Sequence, residues 1–264
     1  MRYIDFDEGQ GPESLRLAEG PQPEVNDEQV LIRVQAFGIN RADTLQREGK
    51  YPPPPGESDI LGLEVAGTIA SCGPAVSGIE TGDRVCALVP GGGYAEYAVV
   101  HFRHLIPLPD SLTFEQGAGL AEVFLTAFQA THTLAGLQRG NRALIHAGAS
   151  GVGLAALQLC RFFGVDTATT ASSDEKLTLC RQMGASFTIN YTTDDFCDVI
   201  RREWPSGVNM VLDVVGGDYL NRNLTVLSQD GMIVYLAMLA GRYADKLDMA
   251  KLLAKRAIIQ GSTL

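Results

Sequence analysis

Gly148, Ser150, Gly151 and Gly153 lie in the run ALIHAGASGVGLAALQL that begins at Ala143. An apolar run, a turn of small residues and apolar residues at helical spacing read as strand, loop and helix. The first N–H groups of such a helix are unpaired and carry partial positive charge. They can receive a pyrophosphate where small side chains let it approach, so the backbone from Ser150 through Val152 to Gly153 is a candidate dinucleotide site. Against the pattern G-x-G-x-x-G the central glycine is replaced by Ser150, and tight glycine turns also arise for steric reasons alone. About twenty residues on, where a second strand would end, stand Ala171, Ser172, Ser173, Asp174, Glu175 and Lys176. Two hydroxyls and an ammonium suit a ribose 2′-phosphate, which favours NADPH over NADH. In the alternative, Asp174 holds a free ribose 2′-hydroxyl rather than capping the next helix, and Lys176 taken alone reads equally as a solvated helix position.

The elements that must carry these residues fall into two textures. From Ala143 onward, six apolar runs alternate with helical stretches: ALIHA, VDTATTA from Val165, SFTIN from Ser186, VNMVLDVV from Val208, GMIVYLA from Gly231 and AIIQGST from Ala257. Helices are expected from Leu154 to Phe163 and from near Asp174. This pattern predicts a doubly wound α/β domain with a parallel sheet, and the glycine loop follows its first strand, as a dinucleotide fold requires. The first hundred residues differ. The runs VLIRVQA at 30 to 36, EVAGTIASC at 64 to 72 and GYAEYAVV at 93 to 100, set between Gly and Pro turns, predict antiparallel, barrel-like β structure. NRADTLQREGKYPPPPGES reads as an ordered loop, or a plain connector, because its four consecutive prolines can continue neither a helix nor a central strand. Thr113 and Gln116 form a capping-box pair that predicts a long helix through Thr133.

Composition narrows the function classes. The 264 residues are 45% hydrophobic, enough for a substantial core, and the formal charge of -10 argues against nucleic acid as the main partner. No apolar window approaches a membrane span of roughly 20 residues, and the start MRYIDFDEGQ lacks the regions of a signal peptide, so a cytoplasmic protein is expected. Cys72, Cys86, Cys160, Cys180 and Cys197 form no C-x-x-C pair and are expected to be reduced. His101, His104, His132 and His146 have no accompanying ligand cluster, and packing or surface roles are expected for them.

The two textures, with GLEVAGTI at 62 to 69 and TGDRV at 81 to 85, resemble the medium-chain dehydrogenase/reductase superfamily. Where its zinc enzymes carry a cysteine and a Gly-His-Glu, this sequence has Asn40 in GINRAD and Gly62, Leu63, Glu64. CALVPGGGYAEYAVV leaves no room for their four-cysteine lobe, so no metal is expected. NRADTLQREGKYPPPPGESDILGLE, PGGGYAEY, LTAFQ, HAGASGVG and LDVVGG are similar to the zinc-free, zeta-crystallin-like quinone oxidoreductases, in particular their tumour-suppressor-inducible subgroup.

The resemblance implies a GroES-like catalytic domain over 1–121 and a Rossmann domain over 122–264. It implies NADPH-dependent reduction of quinones or conjugated carbonyls by a homodimer. Asn40 and Tyr51 would line the acceptor pocket as catalytic donors, Thr126 would contact the nicotinamide, and Ser172, Lys176 and Tyr191 would surround the adenosine phosphate. Without a Lewis acid, hydrogen-bond donors must stabilise charge on the acceptor oxygen, for which the Asn40 amide and Tyr51 hydroxyl are suited. Two alternatives are an enoyl reductase acting on activated double bonds and an NADPH-binding protein without catalysis. Relatives continue past the sixth strand with a segment returning to the first domain; the sequence here stops at Leu264, and exposed apolar surface is expected in its place.

Overall fold

A computed structural model describes all residues from Met1 to Leu264, and the chain divides into two units, Met1–Glu122 and Val123–Leu264. In the first, β1 (Arg2–Asp5) and β2 (Arg16–Glu19) pair antiparallel. Next come β3 (Gln29–Phe37), helix α1 (Arg41–Arg47), β4 (Glu64–Cys72), β5 (Arg84–Leu88), β6 (Tyr97–His101) and β7 (Leu105–Pro107). The last five strands make an antiparallel sheet ordered β6-β3-β4-β5-β7. Alternation places Val30 and Ile32 of β3, Val65 and Ile69 of β4 and Val85 and Ala87 of β5 in one buried cluster. Two expectations need correction. The proline-rich segment opens with α1 rather than a loop. Asn40 caps it, with the Asn40 N–H donating to Asp43 Oδ2 at 2.7 Å, and Gly49 at φ 70° ends it before the prolines. The run at 93 to 100 is a strand only from Tyr97, and Tyr94 and Ala95 before it are buried loop residues.

The expected helix through Thr133 is also interrupted. Its capping box forms, with the Gln116 N–H donating to Thr113 Oγ1 at 3.2 Å, but α2 (Phe114–Ala118) closes at Gly119. α3 (Ala121–Phe128) follows and widens into a π-helical turn, Gln129–Leu134, an irregularity common beside functional sites.

The second unit continues with β8 (Arg142–Ile145), α4 (Gly151–Phe163), β9 (Asp166–Ala171), α5 (Asp174–Met183), β10 (Phe187–Asn190), α6 (Phe196–Glu203), β11 (Val208–Asp213), α7 (Tyr219–Val226), β12 (Leu227–Tyr235), α8 (Met249–Lys255) and β13 (Ile258–Gly261). All six strands are parallel, in the order β10-β9-β8-β11-β12-β13. The order reverses around β8, the position at which doubly wound sheets open a crevice for ligands. Ala143, Ile145, Leu157, Met210 and Leu212 lie in the cluster on one face, and Leu144, Ile189, Phe196, Val211 and Ile233 in that on the other. β12 begins at Leu227 rather than Gly231. At the edge, Ile258 and Ile259 of β13 are exposed. No helix is long and apolar enough to cross a membrane.

His146, just past β8, is fully buried. Its Nε2 lies 2.9 Å from Asn223 Oδ1, an acceptor, so that nitrogen carries the proton, while Nδ1 lies 3.1 Å from Thr170 Oγ1. Asn223 Nδ2 donates to Asp213 Oδ2 at 2.7 Å, and Asp213 Oδ1 accepts the N–H groups of Val215 and Gly216. The chain of bonds ties the ends of β8, β9 and β11 to α7. Burial lowers the His146 pKa, which favours the neutral ring that this pattern requires. Asn223→Ala strands Asp213 and His146 and should lower unfolding free energy in urea by about 1–3 kcal/mol. A loss within experimental error would show that the bonds add nothing to stability.

Candidate active site

At the end of β8 the glycine loop is shaped mainly by its own packing. A Cβ on Gly148 would meet Thr169 Oγ1 at 1.8 Å, and one on Gly153 would meet the Ala147 carbonyl at 2.6 Å. Ser150, at the position of the missing glycine, is the N-cap of α4, and its Oγ accepts the Gly153 N–H at 3.1 Å. The serine therefore occupies one donor of the first turn and leaves the N–H groups of Gly151 and Val152 without a partner in the chain. The turn remains able to receive an anion.

Ser172 follows β9, and Lys176 Nζ donates to its Oγ at 3.3 Å. Ser173 rather than Asp174 caps α5, its Oγ accepting the Lys176 N–H at 3.4 Å, and Asp174 is the first helical residue. The Tyr191 N–H donates to the Ala171 carbonyl, so Tyr191, Ser172 and Lys176 gather at the ends of neighbouring strands, with the tyrosine ring half-exposed. Thr126 lies on α3, and its buried Oγ1 has no hydrogen-bond partner. An unsatisfied buried hydroxyl is costly unless a bound group completes it.

The first unit holds a buried polar network around Asn40. Glu64, 2% exposed at the start of β4, accepts Asn40 Nδ2 on Oε1 at 2.9 Å and the Glu122 N–H on Oε2 at 3.0 Å. Asp43, equally buried, accepts the Tyr94 hydroxyl at 2.9 Å, and the Tyr94 ring stacks on Phe37. Burial raises the pKa values of Asp43 and Glu64, partly offset by these donors. Burial, and then the proximity of Glu64 and Asp43, pushes Glu122 up to about 7. Tyr51 stands 37% exposed ahead of the prolines, and no hydrogen bond joins it to Asn40. Sequence reasoning does not single out Asp43, Glu64, Tyr94 and Glu122 as site residues. The glutamate of GLEVAGTI and the tyrosine of PGGGYAEY are the available signals.

Residues 26–110 match the alcohol dehydrogenase GroES-like domain and residues 151–264 the zinc-binding dehydrogenase family. The chain belongs to the medium-chain dehydrogenase/reductase superfamily and is an oxidoreductase. It is 36% identical over 239 residues to the quinone oxidoreductase of Mus musculus, spanning 89% of this chain and 72% of that protein. With the Homo sapiens quinone oxidoreductase it shares 32% identity over 267 residues, 100% of this chain and 80% of that one. The structure of Escherichia coli quinone oxidoreductase complexed with NADPH matches at TM-score 0.88 and 28% identity, covering 100% of this chain and 81% of that one. The structure of CurK enoyl reductase matches at TM-score 0.87 and 26% identity, covering 99% and 80%.

Because the Glu122 pKa is raised, the folded chain keeps a proton there that the unfolded chain has released. Its contribution to stability is full below the ordinary glutamate value and is lost as pH rises towards about 7. Glu122→Gln should flatten that part of the stability profile and make the fold more resistant to urea at alkaline than at mildly acidic pH, relative to the native chain. An unchanged profile would place the titration on another group.

Proposed function

We propose that the chain transfers hydride from NADPH to quinones or related conjugated carbonyls without a zinc ion. The observation that carries the cofactor half is the pairing of Lys176 with Ser172 beyond β9, one strand from the serine-capped loop after β8. The Gly151 and Val152 N–H groups would receive the pyrophosphate, and Ser172 Oγ with Lys176 Nζ the 2′-phosphate. Tyr191 would flank the adenosine, and the unsatisfied Thr126 hydroxyl would bond the nicotinamide carboxamide. NADPH, when bound, supplies the hydride. The NADPH complex of the Escherichia coli enzyme supports NADPH as the cofactor.

The residues available do not fit a catalytic zinc. Leu63 has no donor atom, Asn40 directs its amide nitrogen at Glu64, and no three His, Cys, Asp or Glu side chains are grouped to hold a metal. Asn40 and Tyr51 would instead donate to the acceptor oxygen as charge develops there. A quinone is electron-poor and needs less activation than a simple ketone. The quinone oxidoreductase relatives favour it as acceptor, whereas the likeness to CurK enoyl reductase keeps an activated double bond as the second reading. A second copy would extend the sheet at β13, where Ile258 and Ile259 are exposed.

Loss of reduced-nicotinamide absorbance with 1,2-naphthoquinone should be faster with NADPH than with NADH. Ser172→Ala and Lys176→Ala should each raise the NADPH KM by about tenfold and leave the NADH KM unchanged. Equal effects on both cofactors would remove the phosphate assignment. Faster turnover of a simple enone than of the quinone would favour the second reading. Tyr51→Phe should lower quinone turnover, and unchanged kinetics would remove Tyr51 from the donor role.

A further inference from the structure

Two neighbours decide which way the Asn40 amide faces. On one side, the capping box brings the Asp43 backbone N–H, which can only donate, against the Asn40 side chain, so that side takes Oδ1. On the other, Nδ2 donates to Glu64 Oε1 at 2.9 Å. The Glu64 carboxylate is itself fixed: the Glu122 N–H donates to its other oxygen at 3.0 Å. The carboxylate fits there only because residue 38 has no side chain, since a Cβ on Gly38 would lie 2.1 Å from Glu64 Oε1. Asn40 is only partly buried, and one hydrogen of Nδ2 is left without a partner in the chain.

We infer that Glu64 is a positioning residue: it holds the Asn40 amide in the one orientation that presents a free N–H as a donor to the acceptor oxygen. The inference rests on the hydride-transfer reading for the use of that donor, but the tether itself is independent of it. Glu64 is 2% exposed and is not required to touch substrate. Its role is to select a side-chain orientation that Asn40 alone would not keep, because an amide can turn over about its last bond with little change in shape.

Glu64→Gln makes the test specific. The carbonyl of the introduced glutamine is claimed by the backbone N–H of Glu122, so its NH2 must face Asn40. Donor then meets donor, and turning the Asn40 amide over only moves the conflict to the Asp43 N–H. Adding Asn40→Asp removes the conflict, because a carboxylate at position 40 accepts from both the introduced glutamine and the Asp43 N–H, but it offers no donor to the acceptor oxygen. With full-length protein, NADPH and 1,2-naphthoquinone, E64Q should lower kcat by about tenfold or more, leave the NADPH KM within about twofold, and reduce the melting temperature. The double variant should recover most of the melting temperature and none of the kcat.

Unchanged kcat in E64Q, or restored kcat in the double variant, would overturn the inference. A purely structural role of the Asn40–Glu64 pair would restore activity together with stability. The amide resonances of 15N-asparagine-labelled protein, with Asn40 assigned by its loss in Asn40→Asp, decide the tether without turnover. One slowly and one rapidly exchanging Nδ2 hydrogen, equalised in E64Q, supports it; two equally rapid hydrogens in the native chain overturn it. If the native protein turns over no quinone, the proposed function fails by itself and this second readout still judges the inference.

Discussion

The first unit is organised around a carboxylate kept out of water without a cation beside it. Glu64 begins β4, yet its two oxygens reach the cap of α1 and the first turn of α3, so three segments far apart in sequence meet on one small group. Burying such a group is unfavourable unless its lone pairs are filled, and here neutral donors fill them. The geometry is correspondingly restrictive. Gly38 must lack a side chain, Asn40 must carry an amide nitrogen, and the backbone at Glu122 must turn its N–H inward. Asp43 and Tyr94 make a second arrangement of the same kind beside it, and the capping box of α1 joins the two.

The carboxylate at position 64 is bonded to a side-chain amide, Asn40 Nδ2, and Leu63 before it has no donor atom. Ser150 follows similar logic in the second unit. Standing where the pattern has its central glycine, it fills one donor of α4 internally and leaves the N–H groups of Gly151 and Val152 unpaired.

Much of the second unit is legible in the sequence because period and punctuation agree: six apolar runs, each followed by a helix or turn signal, become the six parallel strands. The first unit is less so. Four prolines dominate residues 40 to 58 and hide α1, whose signal is the Asn40 to Asp43 cap rather than hydrophobic spacing. Gly119 and the π turn break a helix that apolar periodicity alone presents as continuous. The Ser150 cap and the Ser172–Lys176 pair can be read from local spacing because each forms within one loop and the helix start that follows it. The Asn40 network cannot, since residues 40, 43, 64, 94 and 122 come together only through the sheet order. His146 has the sequence setting of an ordinary packed histidine and is the middle of a hydrogen-bonded chain for the same reason.

The His146 chain has a consequence for motion. Asp213 gathers the N–H groups that begin the turn after β11, Thr170 receives the N–H of Ala147 at the start of the glycine loop, and Asn223 links both to α7. Loops at the carboxyl ends of a parallel sheet are usually the parts that open first in local fluctuations. Here their roots are sewn into the most buried layer of the unit, so the backbone beside the glycine loop is released only when that layer opens. A ligand received by these loops would meet a scaffold already set, with little ordering left for binding to supply.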